Sequence, residues 1–226
     1  MNTLRVALDG PAGAGKSTVA KRVAAALGVA YVDTGAMYRA ITWKALQKGI
    51  GLHDEAALNE MAHTIHIDFK PQPERQAVFV DGQEVTDAIR TFEVTNNVSA
   101  VSAVAGVRDA MVKLQRDIAS RTGVLMDGRD IGTVVLPNAD VKIWLTASVE
   151  ARAMRRYQEM LNKGVECDLE QIKADIQRRD EYDASREHSP MVKAEDARVV
   201  DTTGMSIEAV IGEIQAICRS AQAQKS

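Results

Sequence analysis

The sequence of 226 residues is poor in cysteine, histidine and aromatic side chains, and it carries no excess of positive charge. Its two cysteines, Cys167 and Cys218, form neither a metal-ligand pattern nor a disulfide framework, which suits a reducing compartment. A formal net charge of −3 argues against a protein that binds nucleic acid through bulk charge. The longest apolar run, Val23 to Val32, is about half a membrane span, and no basic stretch, apolar run and cleavage site open the chain. We therefore expect a cytoplasmic protein without nucleic-acid or membrane partners.

Strands alternate with helices along most of the chain, which predicts a parallel sheet with helices on both faces. The predicted strands of this sheet are Leu4–Asp9, Ala30–Asp33, Val124–Asp127, Val141–Leu145 and Val199–Asp201. The predicted helices are Ser17–Leu27, Gly35–Lys48, Glu55–His63, Phe92–Val101, Val107–Arg121, Val149–Lys163, Leu169–Ala184 and Ile207–Ala221.

Residues 65–90 differ from the rest of the chain, because they show short strand patterns and turn residues instead of helices. The predicted elements are strands at His66–Lys70 and Gln76–Val80, which flank Pro71 and Pro73, a hairpin turn at Asp81-Gly82 and a third short strand at Glu84–Val85. This region is therefore predicted to be a small β insertion.

The segment after the first predicted strand carries the most specific local motif. Gly10-Pro11-Ala12-Gly13-Ala14-Gly15-Lys16-Ser17 fits G-x-x-x-x-G-K-[ST] between a strand and a helix, as a phosphate-binding loop requires. Its glycines allow backbone N–H groups to surround an oxyanion, and the N-terminus of the next helix adds its positive dipole. Lys16 brings a charge to the β and γ phosphates, and the Ser17 hydroxyl is a ligand for Mg²⁺. The motif predicts binding of a nucleoside triphosphate with Mg²⁺.

The strand Val124–Asp127 ends in a carboxylate, as the second magnesium-binding segment of P-loop proteins does. The pattern is weak by itself, because many strands end in Asp. Beside a phosphate-binding loop it predicts that Asp127 holds Mg²⁺ through a water molecule.

Polar residues also follow the strands at the edge where parallel sheets bind their ligands. Thr34, Tyr38 and Arg39 follow the second strand, and Arg129 and Asp130 follow Asp127. We expect them to face the same cleft as the phosphate-binding loop.

Charged residues gather on two predicted helices as well. They are Arg179, Asp183 and Arg186, spaced to share one face of a helix, and Arg152, Arg155 and Arg156 on the helix before it. Such a stripe is as typical of a solvated surface as of a ligand site. A second phosphorylated substrate would account for the arginines, because guanidinium groups neutralise phosphate charge. A phosphate acceptor also needs no strong general base, which fits the scattered histidines.

Four segments together resemble the bacterial cytidylate kinases, a family of P-loop nucleoside monophosphate kinases. The segments are Asp9–Thr18, Asp33–Arg39, Asp127–Thr133, and Arg179–Asp183 with Arg186, and they span nearly the whole chain in the order of the family. The third segment, Asp-Gly-Arg-Asp-Ile-Gly-Thr, is the most telling, because a P-loop alone occurs in many enzymes.

The resemblance implies an α/β, three-layer P-loop NTPase fold with a central parallel sheet. The core would be formed by about residues 1–35, 105–150 and 190–226, the NMP-binding insertion by about 36–104, and a short helical lid by about 155–164. The implied reaction is transfer of the γ-phosphoryl group of ATP to CMP or dCMP with Mg²⁺. The implied protein is a monomer whose partners are these small molecules.

The resemblance also implies roles for individual residues. Gly10 to Thr18 and Arg155 would bind ATP, while Lys16, Arg129, Asp130 and Arg186 would act in the transfer. The implied CMP site consists of Thr34, Tyr38, Arg39, Ser99, Arg108, Arg129, Asp130, Arg179, Asp183 and Arg186. In that set, Thr34, Ser99 and Arg108 would contact the nucleoside or base. Phosphate or base would be contacted by Arg39, Arg129 and Arg186. The sugar and phosphate would be contacted by Asp130, Arg179 and Asp183.

Two other functions stay open on the residues alone. The first is a kinase for AMP, UMP or a metabolite hydroxyl, for which Asp130 can serve as the base. The second is a nucleotide-binding switch that hydrolyses slowly. A guanine-nucleotide switch would normally carry Asn-Lys-x-Asp, and the nearest segment, Asn162–Val165, lacks the aspartate.

Overall fold

The computed structural model describes residues 3–71 and 76–223. The chain divides into two compact units, which we call the core unit (Met1–Val32 and Ile118–Ser226) and the insert unit (Asp33–Asp117). Along the chain the elements are β1 (Arg5–Asp9), α1 (Lys16–Leu27), β2 (Ala30–Asp33), α2 (Thr34–Gln47), α3 (Glu55–Thr64), β3 (Ile67–Pro71), β4 (Gln76–Val80), β5 (Gln83–Glu84), α4 (Phe92–Ala103), α5 (Ala105–Arg121), β6 (Val124–Gly128), β7 (Val141–Thr146), α6 (Val149–Asn162), α7 (Leu169–Ser185), β8 (Arg198–Asp201) and α8 (Ile207–Ala223). A 3₁₀ turn spans Ala88–Arg90 and a π-helical turn spans Ile131–Val135.

The central sheet has five strands in the order β2-β6-β1-β7-β8. β1 pairs in parallel with β6 and β7, and β7 pairs in parallel with β8, so the predicted α/β class with a central parallel sheet is confirmed. Strands β2 and β6 lie on one side of β1, whereas β7 and β8 lie on the other side. In open parallel sheets, ligands bind at the strand ends where the chain changes from one side to the other.

The hydrophobic core of the sheet explains the position of β1 at its centre. Val6 and Leu8 in β1, together with Leu4 directly before it, occupy alternate positions on the same side and are buried against residues of α1 and α8. Ala7, on the opposite side, is also fully buried. A strand with apolar residues on both faces is typical of a central strand of a parallel sheet.

The small antiparallel sheet of the insert unit has the order β3-β4-β5, and it confirms the predicted β insertion. Asp81 and Gly82 both have positive φ, 50° and 84°, as a two-residue hairpin turn requires. The third strand, Gln83–Glu84, begins one residue earlier than predicted. Pro73, which was expected between the first two strands, lies outside the described residues.

The hairpin turn is attached to α2 through the carboxylate of Asp81. Its oxygens accept a hydrogen bond from the backbone N–H of His66 at 2.9 Å and form an ion pair with the Nζ of Lys44 at 3.1 Å. These two contacts, the first the stronger, lower the pKa of Asp81. The β insertion is thereby fixed to the helix that follows β2.

Within residues 3–71 and 76–223, none of the helices combines the length and the apolar character needed to cross a membrane.

Candidate active site

The phosphate-binding loop follows β1 in the core unit. At Gly10 the backbone approaches the carbonyl group of Leu145 in β7 so closely that a Cβ atom would collide with it. Gly15 precedes α1 with a φ of 86°, a conformation that glycine adopts without strain. The two glycines therefore explain how the loop turns sharply from the sheet into the helix.

Lys16 is the first residue of α1, one position earlier than the predicted helix start, and only 6% of it is exposed. Its Nζ donates hydrogen bonds to the carbonyl oxygens of Gly10 and Pro11, each at 2.8 Å. Burial lowers the pKa of Lys16 well below its ordinary value, and the charge of Arg129 lowers it further. The carboxylates of Asp127 and Asp9 oppose this shift but do not cancel it. A further negative group near the Nζ would therefore stabilise the charged form of Lys16.

Asp127 lies at the end of β6 and is buried. One of its oxygens accepts a hydrogen bond from the Ser17 hydroxyl at 2.8 Å, and the other accepts one from the Tyr31 hydroxyl at 3.0 Å. Because the Ser17 proton points at Asp127, the lone pairs of the Ser17 oxygen are left for a cation. This arrangement fits Mg²⁺, because Ser17 would bind the ion directly and Asp127 would hold it through a water molecule.

In residues 3–71 and 76–223, no three His, Cys, Asp or Glu side chains come together as a metal site. Magnesium in nucleotide-binding proteins typically takes one or two protein ligands and completes its shell with phosphate and water. The Ser17–Asp127 pair matches that pattern. Tyr31 was not predicted; it lies on β2, the strand next to β6, and only strand order brings its hydroxyl to Asp127.

Asp9, the last residue of β1, was also not among the predicted site residues. Its two oxygens accept hydrogen bonds from the backbone N–H groups of Ile131 at 2.8 Å and Gly132 at 2.7 Å. It thus links the beginning of the phosphate-binding loop to the turn that carries Asp130. Burial raises the pKa of Asp9 to about 7, although the two N–H groups act in the opposite direction. The rule that identified Asp127, a carboxylate at a strand end, would have identified Asp9.

The wild type is expected to become less stable as the pH rises, and the Asp9→Asn variant is expected not to show this loss. Because the pKa of Asp9 in the folded protein is about 7 and its ordinary value is 3.8, the folded chain retains a proton that the unfolded chain releases above about pH 4. The free energy of unfolding of the wild type, relative to Asp9→Asn, should therefore fall by roughly 2–3 kcal/mol between about pH 5 and pH 8. Urea unfolding of both proteins over this range measures the difference. A difference independent of pH would mean that Asp9 stays ionised throughout.

Asp183 contacts two of the predicted arginines, Arg129 and Arg186, in the core unit. It is buried, and it accepts a hydrogen bond from the Nε of Arg129 at 3.1 Å. The guanidinium of Arg186 lies 3.9 Å from its other carboxylate oxygen. Arg179 lies one turn earlier on α7, and its charge contributes to the lowered pKa of Lys16. The predicted residues of the core unit are therefore Lys16, Arg129, Arg179, Asp183 and Arg186.

The predicted helical position of Arg186 is wrong. α7 ends at Ser185, and Arg186 has an extended backbone with φ −58° and ψ 137°. In a continuing helix the carbonyl of Asp183 would accept from residue 187, but here it accepts from the backbone N–H of Met191 at 2.8 Å and from the Nε of Arg186 at 3.1 Å. The side chain thus turns back toward Asp183 from a position beyond the helix.

Arg155 was predicted to bind ATP from the lid. Its guanidinium donates hydrogen bonds to the hydroxyl of Thr202 at 2.9 Å and to the carbonyl of Thr202 at 2.7 Å. These bonds attach α6 to the segment that follows β8. The predicted lid, residues 155–164, corresponds to the end of α6 and the turn after it, where Gly164 has a φ of 70°. The contact with ATP stays a prediction.

In the insert unit, Asp33 connects the start of α2 to two arginines. One carboxylate oxygen caps the helix by accepting from the backbone N–H of Ala36 at 2.8 Å. The other lies 3.0 Å from the guanidinium of Arg39 and 3.5 Å from that of Arg90. The buried Nε of Arg39 has no hydrogen-bond partner within residues 3–71 and 76–223. Thr34, predicted to contact the nucleoside, is buried at the first position of α2.

The remaining predicted residues of the insert unit come together around Arg108. This arginine is 3% exposed and donates a hydrogen bond to the carbonyl of Ser102 at 3.0 Å. Its guanidinium carbon lies 5.2 Å from the centre of the Tyr38 ring, a favourable cation–π distance. The hydroxyl of Ser102 donates to the carbonyl of Ser99 at 3.0 Å, which places Ser99 one turn away on α4. Tyr38 therefore shares one region of the fold with Ser99 and Arg108, which lie far from it in the sequence.

Comparison with known proteins assigns the family. A sequence model of the Cytidylate kinase family matches residues 6–220. The cytidylate kinase of Anoxybacillus flavithermus is 54% identical over 214 residues, which cover 95% of each chain. The cytidylate kinase of Pediococcus pentosaceus is 53% identical over 224 residues, which cover 99% of each chain.

A solved structure supports the fold alone. An uncharacterized protein from Eubacterium ventriosum is 12% identical, with a TM-score of 0.55, over 97% of this chain and 99% of that one. The family model and the curated relatives extend over nearly the whole sequence, including all four segments on which the resemblance rests. The chain therefore belongs to the cytidylate kinase family.

Proposed function

We propose that this protein transfers the γ-phosphoryl group of ATP to CMP or dCMP, which gives ADP and CDP or dCDP. The observation that carries the proposal is the concentration of positive charge at the phosphate-binding loop. Burial lowers the pKa of Lys16, and the nearby positive charges of Arg129 and Arg179 lower it further. Such a cluster is stabilised by the polyphosphate of a nucleotide, and the family to which the chain belongs is one of kinases.

On the donor side, the loop Gly10–Thr18 is assigned to the phosphates of ATP. Nζ of Lys16 would exchange the carbonyl oxygens of Gly10 and Pro11 for phosphate oxygens, which carry full charge and raise the pKa of Lys16 again. Mg²⁺, when bound, neutralises charge on the β and γ phosphates. Ser17 would hold this ion, and Asp127 would fix the Ser17 hydroxyl through the hydrogen bond already present.

On the acceptor side, no general base is required, because a phosphate oxygen of CMP is already anionic. In the insert unit we assign Arg39 to that phosphate, since its buried Nε lacks a hydrogen-bond partner in the described part of the chain. In the core unit we assign Arg129 and Arg186 to the transferred group. Asp183 fixes both guanidinium groups, which reduces the loss of side-chain freedom on binding.

The roles of the other residues stay proposals that rest on position in the family. They are Thr34, Ser99 and Arg108 for the nucleoside or base, Tyr38 for CMP, Asp130, Arg179 and Asp183 for sugar and phosphate, and Arg155 for ATP. Both cysteines are free thiols, which fits the reducing cytosol that we propose for this protein. The monomeric state remains an expectation from the resemblance.

The test is release of ADP in a coupled assay with a panel of acceptors. We expect kcat/KM for CMP and dCMP to exceed that for AMP and GMP by about 100-fold or more, because a site with fixed polar groups rejects a base that leaves them unpaired. The Lys16→Ala protein, purified in the same way, controls for contaminating kinases. Equal turnover with AMP would indicate a general nucleoside monophosphate kinase, and ADP release that no acceptor accelerates would indicate a slow hydrolytic switch.

A further inference from the structure

The backbone N–H and the backbone C=O of Ala12, in the phosphate-binding loop, are each bound by a side chain from outside the loop. The backbone N–H of Ala12 donates to the carboxylate of Asp180 at 3.0 Å, and the carbonyl of Ala12 accepts from the guanidinium of Arg152 at 2.8 Å. Arg152 belongs to α6 and Asp180 belongs to α7. Neither residue is among those assigned to ATP or CMP.

The two side chains are also bound to each other and to the rest of the core unit. The guanidinium of Arg152 forms an ion pair with Asp180 at 2.5 Å, and its Nε donates to the carbonyl of Ala147 at 3.0 Å. The side chain of Arg152 is 5% exposed and that of Asp180 is 17% exposed. Burying two charged side chains away from water costs free energy of desolvation, and an apolar pair of similar size would stabilise the fold at least as well. Stability alone is therefore a poor explanation for this pair.

We propose that Arg152 and Asp180 are positioning residues that fix the conformation of the phosphate-binding loop and couple it to the α6–α7 hairpin. The proposal rests on the function proposed above, because it concerns the binding of ATP. The Pro11–Ala12 peptide is held at its N–H by Asp180 and at its C=O by Lys16, and the C=O of the next peptide is held by Arg152. A rotation of the Pro11–Ala12 peptide would therefore displace the carbonyl oxygen that anchors Lys16.

The coupling has a structural basis in the packing of the hairpin. Ala153 on α6 and Ile172 and Ile176 on α7 form a small apolar cluster. A Cβ atom at Gly13 would lie 3.4 Å from the Cβ of Arg152 and 3.8 Å from Ile176, so the loop is in close contact with the hairpin. A movement of the hairpin, which includes the predicted lid, is therefore transmitted to the loop through Ala12.

The test separates the hydrogen bond between the Ala12 N–H and Asp180 from the ion pair between Asp180 and Arg152. Asp180→Ala removes both of these interactions, whereas Asp180→Asn removes the ion pair but keeps an oxygen that can accept from the Ala12 N–H. We expect Asp180→Ala to raise KM for ATP about tenfold, the effect of losing a hydrogen bond to a charged group, and to leave KM for CMP within about twofold. Asp180→Asn should recover most of this loss. The double variant Arg152→Ala/Asp180→Ala should raise KM for ATP by less than the product of the two single effects, because the two side chains are paired with each other and both hold Ala12.

A matched control is the exposed ion pair between Glu150 and Lys173, 3.1 Å apart, which joins the same two helices without touching the loop. Glu150→Ala and Lys173→Ala should leave both KM values unchanged. Arg152→Lys, a milder change, replaces Arg152→Ala if the latter does not fold.

Two results would overturn the proposal. A lower KM for ATP in Asp180→Ala would mean that the carboxylate competes with phosphate for the loop. A loss of thermal stability with both KM values unchanged would mean that the pair is structural only. If the wild type lacked CMP-dependent turnover, the proposed function would fail, but the dissociation constant of ATP, measured by calorimetry on the same variants, would still test the coupling.

Discussion

Replacement of Lys16 by Met is expected to lower kcat for CMP phosphorylation by about 10²–10³-fold, the usual effect of removing one preorganised charge from the transferred group. The side chain is buried at the start of α1, and its Nζ is directed by two carbonyl oxygens of the loop. Methionine has a similar length and no charge. The coupled assay at saturating ATP and CMP measures kcat.

The stability of this variant provides an independent check. Burial lowers the pKa of Lys16, which means that the surroundings disfavour the charged form. Removing the charge should therefore leave the melting temperature unchanged or raise it. A fall in activity with no fall in stability separates a catalytic role from a structural one.

The control for Lys16→Met is Arg22→Ala on the same helix. Arg22 forms an exposed ion pair with Glu208 at 3.0 Å, and such pairs contribute little to stability. We expect wild-type kcat from this variant. If Lys16→Met retained near-wild-type kcat with an unchanged circular dichroism spectrum, the phosphate-binding loop would have no part in the transfer step.

Features encoded by neighbouring residues could be predicted from the sequence. The phosphate-binding loop requires glycines at fixed spacing between a strand and a helix, and the hairpin turn requires two residues that tolerate positive φ, as Asp81 and Gly82 do. The strand β1 could be predicted because its apolar residues are contiguous. In each case the physical cause lies within a few positions of its effect.

Features that depend on tertiary contacts could not be predicted. Arg152 and Arg156 lie four positions apart on α6, yet the first is buried against the loop while the second is exposed and lies 3.9 Å from Glu159. Asp180 reaches Ala12 across 168 positions, and Asp9 reaches Ile131 across 122. The charge pattern of a helix shows which residues share a face, but not what the face packs against.

The helix end at Ser185 illustrates the same limit. The spacing of Arg179, Asp183 and Arg186 predicts a common helical face that includes Arg186, although the predicted helix itself ends at Ala184, one residue before the observed end. The carbonyl of Asp183 accepts a hydrogen bond from the backbone N–H of Met191, and the spacing of the charged residues gives no indication of this contact. Arg186 still reaches Asp183, so the grouping was correct although the backbone conformation was not.

Selectivity for the base should depend strongly on Arg108. We expect Arg108→Ala to raise KM for CMP by about 10- to 100-fold, which corresponds to a cost of about 1–3 kcal/mol for an unpaired buried group. The N3 atom of cytosine accepts a hydrogen bond, whereas N3 of uracil carries a hydrogen. A guanidinium donor directed at N3 and O2 therefore favours cytosine. The ratio of kcat/KM for CMP to that for UMP should fall in the variant, while KM for ATP stays the same.

The surroundings of Arg108 explain why its replacement should have a large effect on KM for CMP. The side chain is buried and packs over the ring of Tyr38, so its orientation is fixed before the nucleotide binds. Arg108→Lys keeps the charge but not the planar fork of donors. It should recover part of the affinity for CMP and little of the selectivity. Lys113→Ala, at an exposed position of the same helix, should leave both unchanged.

The pattern of KM values decides between recognition and structural support. If Arg108 contacts the base, the penalty in Arg108→Ala should appear for CMP and dCMP and be smaller for UMP, because the lost donor matters most for an acceptor at N3. If Arg108 only supports the packing of α4 and α5 through Ser102, all acceptors should suffer equally and the melting temperature should fall with them. Equal losses for CMP and UMP would therefore assign the discrimination to another residue and leave Arg108 a structural role.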